Sequence, residues 1–515
     1  MKNFIKNIII LYSVTFFCTF MVYFEMADGR WQMADDGGRM AEDGGRMQNL
    51  ITNFDEKMFD RLLIHQLSPG VPLVIFGARG VGKTTLVNQW AKNFTTNLYL
   101  DLSVAADQRI FAKDLPWQET LQSIYFLKDK APHGNRNLLF LDEIQHCPEA
   151  IKWLLQAPEN MTRLTLVATA SVFSPLFSGL LIQKRTAPRM LYLHPLTFIE
   201  FLQATGDSEA METMKEVPAP ASASEKLLRY FHIYTLIGGM PEIVKTYLPE
   251  RHLTGLKPVY EHILKTYLED IDNAHYASGR RNILQFTLQN AFPFAATRIK
   301  FNGFGNSGFR SRETGAAFRT LEDRFILKLV YPSTRVTVPA IPERTKFPRL
   351  QFLDTGLVNY FSGIQKQLYQ SPDMSAIFHG QIARQVVGQE ILATGNQHDC
   401  LTNESDSNPF IPQQGILFWI RDKAQSGAEV DFVLPYDNLL IPVVVKPGEP
   451  GRLRSLHQFM DMAPHPYAVR LHAGKLGIQQ TRTIQGRKYF LLSLPYFLAG
   501  KIREHLEGFR RFVEG

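Results

Sequence analysis

Lys83 and Thr84 close the stretch Gly77-Ala-Arg-Gly-Val-Gly82, and Asp142 and Glu143 end an apolar run in "NLLFLDEIQ". A lysine, a hydroxyl and two carboxylates are the groups needed to hold a polyphosphate beside a divalent cation. The first stretch has the pattern G-x-x-x-x-G-K-T, in which glycines let the backbone wrap with its N–H groups pointing inward. A helix N-terminus behind such a loop adds positive dipole, so phosphate is held largely by main chain. Gly77, Ala78, Arg79, Gly80, Val81, Gly82, Lys83, Thr84 and Thr85 are the residues expected to bind it. Lys83 would reach the β- and γ-phosphates, and the Thr84 hydroxyl would take a place on Mg²⁺. Asp142 would hold the same metal and Glu143 would orient or deprotonate the attacking water. The ligands implied are ATP and Mg²⁺.

Those residues need particular supports. Val71 to Phe76 is an apolar segment that reads as a strand, and an amphipathic helix opens at Leu86. Leu138 to Leu141 reads as a buried parallel strand that delivers its carboxylates at one end. The layout is α/β, a P-loop NTPase with a parallel sheet and helices on both faces.

A chain of 515 residues exceeds what one hydrophobic core serves, so two or three domains are expected. With 45% hydrophobic and 20% charged residues the composition is that of an ordinary globular chain, and a net charge of +7 tolerates a polyanionic partner without requiring one. Cys18, Cys147 and Cys400 give neither a disulfide framework nor a zinc spacing, which fits a reducing, cytoplasmic setting. Residues 8–24 form an uncharged apolar run at the short end of what spans a bilayer. A seven-residue repeat follows, with methionines at 26, 33, 40 and 47, and its lack of apolar residues predicts disorder. Translation from one of these methionines, Met47 for example, would remove the run. A single-span membrane anchor at residues 8–24 is the alternative.

"GARGVGKTT", "LFLDEIQ", "LHPLTFIEF", "GGMPEIV" and "FLDTGLVNYFSGIQ" together resemble the AAA-like ATPases related to the archaeal-type ATPases, from about Asn49 to the C-terminus. The resemblance implies three parts, read here as an ATPase domain at 49–206, a helical, winged-helix-like domain at 226–340 and a restriction-endonuclease-like α/β domain at 341–515, while the polar, Pro-Ala-Ser-rich stretch 207–225 reads as a linker. In such ATPases the strand beside the carboxylate strand ends in a polar residue that senses the γ-phosphate, a role open to Thr169 or Ser171. Both hydroxyls also suit the capping of a turn. Arg185 and Arg189 are candidates for the cation that neutralises the transition state, in cis or from a neighbouring subunit, or are surface arginines.

In the middle region the residues after Ser311, expected as an N-cap, read as a helix followed by a strand, with Arg310, Arg312 and Arg319 available for DNA phosphates or a protein contact. Restriction-like nucleases use an aspartate on one strand and a Glu-x-Lys triplet on the next, with two carboxylates on the metal. Asp431 and Lys446 match two of these positions, but the glutamate is replaced by Val444 and a further family glutamate by Arg384. The resemblance therefore implies a degenerate, inactive nuclease site. A site rebuilt from Glu429, Asp431 and Glu390 is the rival. The functions in contention are a nucleotide-driven ATPase switch, a DNA-binding or scaffold protein with nucleotide as conformational ligand, and a DNA nuclease, which Val444 disfavours.

Overall fold

The computed structural model describes residues 70–514 apart from 114, 159–160, 174–176, 178–187, 218–223, 275, 371–379, 402–415, 423–426 and 447–452, together with 25–27, 30–32, 59, 61 and 67 upstream. Residues 1–57 are a unit of their own, in which Glu25–Ala27 pairs antiparallel with Arg30–Gln32. This pairing stands where no regular structure is expected. The remainder of the repeat and the apolar run at 8–24 lie outside the described residues. Among the described residues no helix is long and apolar enough to cross a membrane.

Five strands build the first sheet: β1 (Leu73–Phe76), β2 (Thr96–Asp101), β3 (Asn137–Asp142), β4 (Leu164–Ala170) and β5 (Arg189–Tyr192). All pairs are parallel and the order is β2-β3-β4-β1-β5. Every residue of β1, β3 and β4 is buried, as strands covered on both faces require. Leu73 and Ile75 face one hydrophobic core, while Val74 and Phe76 face another across the sheet. Helices α1 (Lys83–Ala91), α2 (Trp117–Leu127) and α3 (Pro148–Leu155) flank it, and Trp117 of α2 stacks on Trp153 of α3 with ring centroids 4.9 Å apart. The arrangement is that of a P-loop NTPase fold. The loops that leave the C-terminal ends of β1, β3 and β4 open along one edge, where open parallel sheets place their ligands.

The proposed linker at 207–225 is partly helical. Ser208–Lys215 forms a helix whose first turn is capped by the Asp207 side chain, which accepts from Ala210 N at 3.0 Å. Ala210 and Met214 lie on one buried face, and the Pro-Ala-Ser composition that suggested a linker begins only afterwards. The chain continues through α4 (Phe198–Ala204), α5 (Ser224–Ile237), α6 (Pro241–Glu250), α7 (Lys257–Asp272), α8 (Ser278–Ala291) and α9 (Ser311–Asp323), with α4 preceding that helix. Helix α9 begins at Ser311 rather than being capped by it. Arg310 stands at the cap, its backbone N–H donating to the Glu313 carboxylate at 2.9 Å.

A boundary at 340 divides what the fold keeps together. Strand β6 (Leu327–Val330) pairs antiparallel with β8 (Arg349–Phe352), while β7 (Pro332–Ser333), lying between them in sequence, joins the last sheet. That sheet has seven strands in the order β13-β14-β12-β11-β10-β9-β7, with β9 (Leu417–Ile420), β10 (Glu429–Tyr436), β11 (Leu439–Val445), β12 (Tyr467–His472), β13 (Gly477–Arg482) and β14 (Lys488–Pro495). It is mixed: β11, β12 and β14 run parallel, and the flanking pairs β10–β11 and β13–β14 are antiparallel. Helices α10 (Thr355–Phe361) and α11 (Gln381–Leu401) precede it. The middle and last regions are therefore interlocked by strands.

Candidate functional site

The loop between β1 and α1 turns back on itself through Gly80 and Gly82, whose φ angles of 84° and 95° lie in the left-handed region where a side chain is strained. Gly82 is the N-cap of α1, so the helix's free N–H groups open onto the inside of the loop. Lys83 is buried, and its Nζ donates to Gly77 O at 3.0 Å and Ala78 O at 3.2 Å. Nζ also lies 3.8 Å from Glu143 Oε1. Burial lowers the lysine's pKa, opposed by the charges of Glu143 and Asp142. A desolvated ammonium held by two neutral carbonyls is poised to favour an anion brought close to it.

Asp142 and Glu143 arrive at the same place by way of β3. Thr84 Oγ1 donates to Asp142 Oδ2 at 2.9 Å, and Tyr99 OH donates to the same oxygen at 3.2 Å. The convergence of a hydroxyl and a carboxylate oxygen suits Mg²⁺, which takes few protein ligands and completes its octahedron with phosphate oxygens and water. Glu143 follows with φ 52°, a left-handed conformation that swings its carboxylate out of the strand toward Lys83.

Strand β4 lies between β1 and β3, and it supplies the groups that fix both carboxylates. Thr169 Oγ1 donates to Asp142 Oδ1 and accepts from Glu143 N at 3.2 Å. Ser171 Oγ donates to Glu143 Oε2, which also accepts from Gln145 Nε2. Both sensor candidates thus reach the carboxylates. Arg189 does not. It opens β5 in register with Leu73, at the N-terminal end of the strands, whereas the loop leaves β1 after Phe76 at the opposite end. Arg185 lies outside the described residues.

Four contributors escape a motif search. Arg61 donates through Nη1 to Val81 O at 3.0 Å and through Nη2 to His194 O at 2.7 Å, and pairs with Glu200 at 3.0 Å, so one buried guanidinium ties the loop to the start of α4. Tyr99 and Gln145 hold the carboxylates. Met240 approaches Gly80 so closely that a Cβ there would meet its Cε at 3.3 Å. The segment carrying Met240 is itself anchored: Gly239 N donates to Asp354 Oδ2 at 2.6 Å, and Leu196 N donates to Gly239 O at 2.7 Å. Asp354 also caps α10, accepting from Leu357 N at 3.0 Å. Only "GGMPEIV" hinted at this contact.

The last sheet carries a second carboxylate cluster. Asp431 on β10 accepts from Val445 N at 2.8 Å through Oδ2, and Arg384 Nη1 lies 3.8 Å from its Oδ1. Arg349, 2% exposed, pairs with Glu429, donates to Asp431 O at 2.7 Å, and stacks 4.3 Å from the Phe418 ring centroid. Val444 is buried, and Lys446 stands just past β11 with its carbonyl accepting from Tyr496 OH at 3.0 Å. Glu390 does not join this cluster: it is engaged by Phe198 N at 3.0 Å and Tyr234 OH at 2.6 Å, tying α11 to α4 and α5. Among the described residues no group of three or more His, Cys, Asp or Glu is placed to hold a metal ion.

Residues 70–202 match the model of a family described as an AAA domain, and residues 228–368 match a domain of unknown function. Among solved structures, similar chains are a Walker-type ATPase of Pyrococcus abyssi, at 11% identity over 56% of this chain and 91% of that one with a TM-score of 0.37, and PCH-2 of C. elegans, at 14% identity over 45% and 69% with a TM-score of 0.25. No curated protein matches the chain. The glycine loop that seats Lys83, the carboxylates of β3 and the family match over the same segment show that residues 70–202 of this chain carry an AAA-type P-loop domain.

Proposed function

We propose that the protein is an ATP-binding, Mg²⁺-dependent ATPase that acts as a nucleotide-driven switch. The observation that carries this reading is the convergence of Lys83, Thr84, Asp142 and Glu143 at one edge of the parallel sheet. The loop amides and Lys83 bind and orient the polyphosphate. Thr84 and Asp142 would hold Mg²⁺, which when bound neutralises charge on the β- and γ-phosphates. Glu143, fixed by Ser171 and Gln145, positions a water and takes its proton. Catalysis is then positioning and charge stabilisation by groups already in place.

The contact of Met240 with the loop supports a switch. A shift of the loop presses on the Gly239–Met240 segment, which Asp354 links to the cap of α10. We read the middle region as a winged helix, from α7, α8 and α9 followed by the β6–β8 hairpin, with a short bridge at Ala295 and Leu350 beside it. Arg310, Arg312 and Arg319 are exposed on or beside α9, which makes DNA the polyanionic partner to test. We read the last domain as restriction-endonuclease-like and inactive, because Arg384 faces Asp431 and a buried valine stands at 444.

The test compares Glu143→Gln with Lys83→Ala in the full-length chain, measuring ATP hydrolysis and binding to duplex DNA with and without ATP. A switch predicts that the first variant traps the ATP-bound state and its partner affinity, while the second binds as the nucleotide-free protein. Partner binding indifferent to both substitutions favours a scaffold, and a wild-type protein without affinity for ATP ends the proposal.

A further inference from the structure

Next to the loop a small cleft is lined by Arg79, Ser171, Tyr267, Asp270, Arg324 and Ile326. Its members come from the loop itself, the end of β4, helix α7, and the turn between α9 and β6. Ser171 donates to Glu143, whose other carboxylate oxygen is 3.8 Å from Lys83 Nζ, so the cleft adjoins the groups assigned to the terminal phosphate.

Arg324 is the unusual member. It is 9% exposed, its Nε has no hydrogen-bond partner, and among the described residues no carboxylate forms an ion pair with it. The nearby carboxylate in the cleft, Asp270, is already paired with Arg79 at 2.5 Å. A buried guanidinium without a partner is costly, and a planar fork of donors matches phosphate oxygens in particular.

The backbone holds Arg324 there at the expense of strain. Phe325, the next residue, has φ 58°, a left-handed conformation that is strained for a bulky aromatic. Its ring packs with centroids 6.0 Å from Phe76, the last residue of β1, and 5.8 Å from Tyr192. On the other side Asp323 O accepts from Phe173 N at 2.7 Å. The turn is clamped into the edge of the ATPase sheet from which the loop departs.

We infer that Arg324 is the cation supplied within the same chain to the terminal phosphoryl group of a bound nucleoside triphosphate, an inference that rests on the nucleotide reading above. A triphosphate completes the missing partner of Arg324, and a diphosphate leaves it unmet. Because Arg324 directly follows the last residue of α9, the same bond pulls on the helix whose other end carries Arg310 and Arg312.

The experiment compares wild type, Arg324→Ala and Arg324→Lys in the full-length chain. It reads hydrolysis rate together with calorimetric affinities for Mg-ADP and for Mg with a non-hydrolysable triphosphate. Arg324→Ala is expected to lower kcat by about 100-fold or more and to weaken the triphosphate by about 10-fold, with Mg-ADP affinity within about twofold. Arg324→Lys should recover part of the affinity, since a point charge replaces a fork. If the alanine variant shows no cooperative melt, the lysine variant decides: reduced triphosphate preference supports the inference and wild-type preference overturns it. Wild-type rate and preference in Arg324→Ala overturn this inference alone. A wild-type chain that binds neither nucleotide overturns the loop assignment, and this inference with it.

Discussion

Two strand ends of this chain bring together the same ingredients with opposite outcomes. At the end of β3, Asp142 and Glu143 meet one buried lysine, and the remaining partners are hydroxyls, an amide side chain and main-chain groups. On β10, Glu429 and Asp431 meet two guanidinium groups, Arg349 and Arg384. The first cluster leaves its carboxylates on neutral donors that a cation replaces readily. The second has its cations built in, as side chains. A carboxylate pair on a strand end is therefore not a metal site until the third party is known, and arginine in that place converts a site of chemistry into a structural joint.

The largest expected difference between the two is catalytic. Lys83→Ala should reduce ATP hydrolysis by about 1,000-fold, since it removes the cation from a desolvated phosphate site. Asp431→Asn should leave the rate within about twofold of wild type. Steady-state hydrolysis measured on both variants checks the contrast, and equal losses would mean that the last domain takes part in the reaction. Glu143→Gln comes next, with a loss of about 100-fold and retained nucleotide affinity, read by pairing the rate with calorimetry. A proportional loss of affinity would instead assign Glu143 to binding.

Stability should invert the ranking. Arg349→Met removes a fully buried guanidinium from Glu429 and from Asp431 O, and breaking a buried pair costs roughly 3 kcal/mol. The value belongs at the lower end of such losses because the Glu429 side chain keeps 31% of its surface in water and is partly hydrated when left alone. Denaturant midpoints give the comparison. A change under about 1 kcal/mol would mean that the pair is dispensable, and that the cluster is not the joint argued here.

How much of this was legible in the sequence follows the range of the interactions. The loop and the carboxylate strand are local patterns, and the residues they nominated do meet: Thr84 and Asp142 lie 2.9 Å apart. Thr169 and Ser171 were nominated by their place at the end of a strand, and strand order then put β4 between β1 and β3. Arg189 was named from its segment "QKRTAPR" as a cation acting in cis or from a neighbouring subunit, and the sequence did not show that it stands at the end of β5 opposite the loop of its own chain. Arg61, Tyr99 and Arg324 carry no local signature. They reach the site from elements that join it only through tertiary packing, and a lone arginine in a basic chain gives no reason to be chosen. The pairing across residue 340 was hidden for a related reason: composition shows where a loop runs, but not that β8 beyond it returns to pair with β6.

A third carboxylate sharpens the comparison, because it has no cation at all among the described residues. Glu390 is fully buried, and burial pushes its pKa up to about 7, against the opposing pull of the Tyr234 hydroxyl and the Phe198 N–H. The folded protein therefore keeps a proton that an unfolded glutamate, with a pKa near 4.5, gives up. The stability this contributes is complete below about pH 4.5 and is lost as pH rises through about 7, at a slope of at most about 1.4 kcal/mol per unit. Glu390→Gln keeps an oxygen for both donors and removes the titration. The variant should match wild type near pH 5 and exceed it by roughly 2 kcal/mol at pH 8. Parallel unfolding curves at both pH values are the measurement. A variant less stable than wild type at pH 8 would show that Glu390 is ionised and stabilised there, and that a carboxylate joining α11 to α4 and α5 is sustained by neutral donors alone.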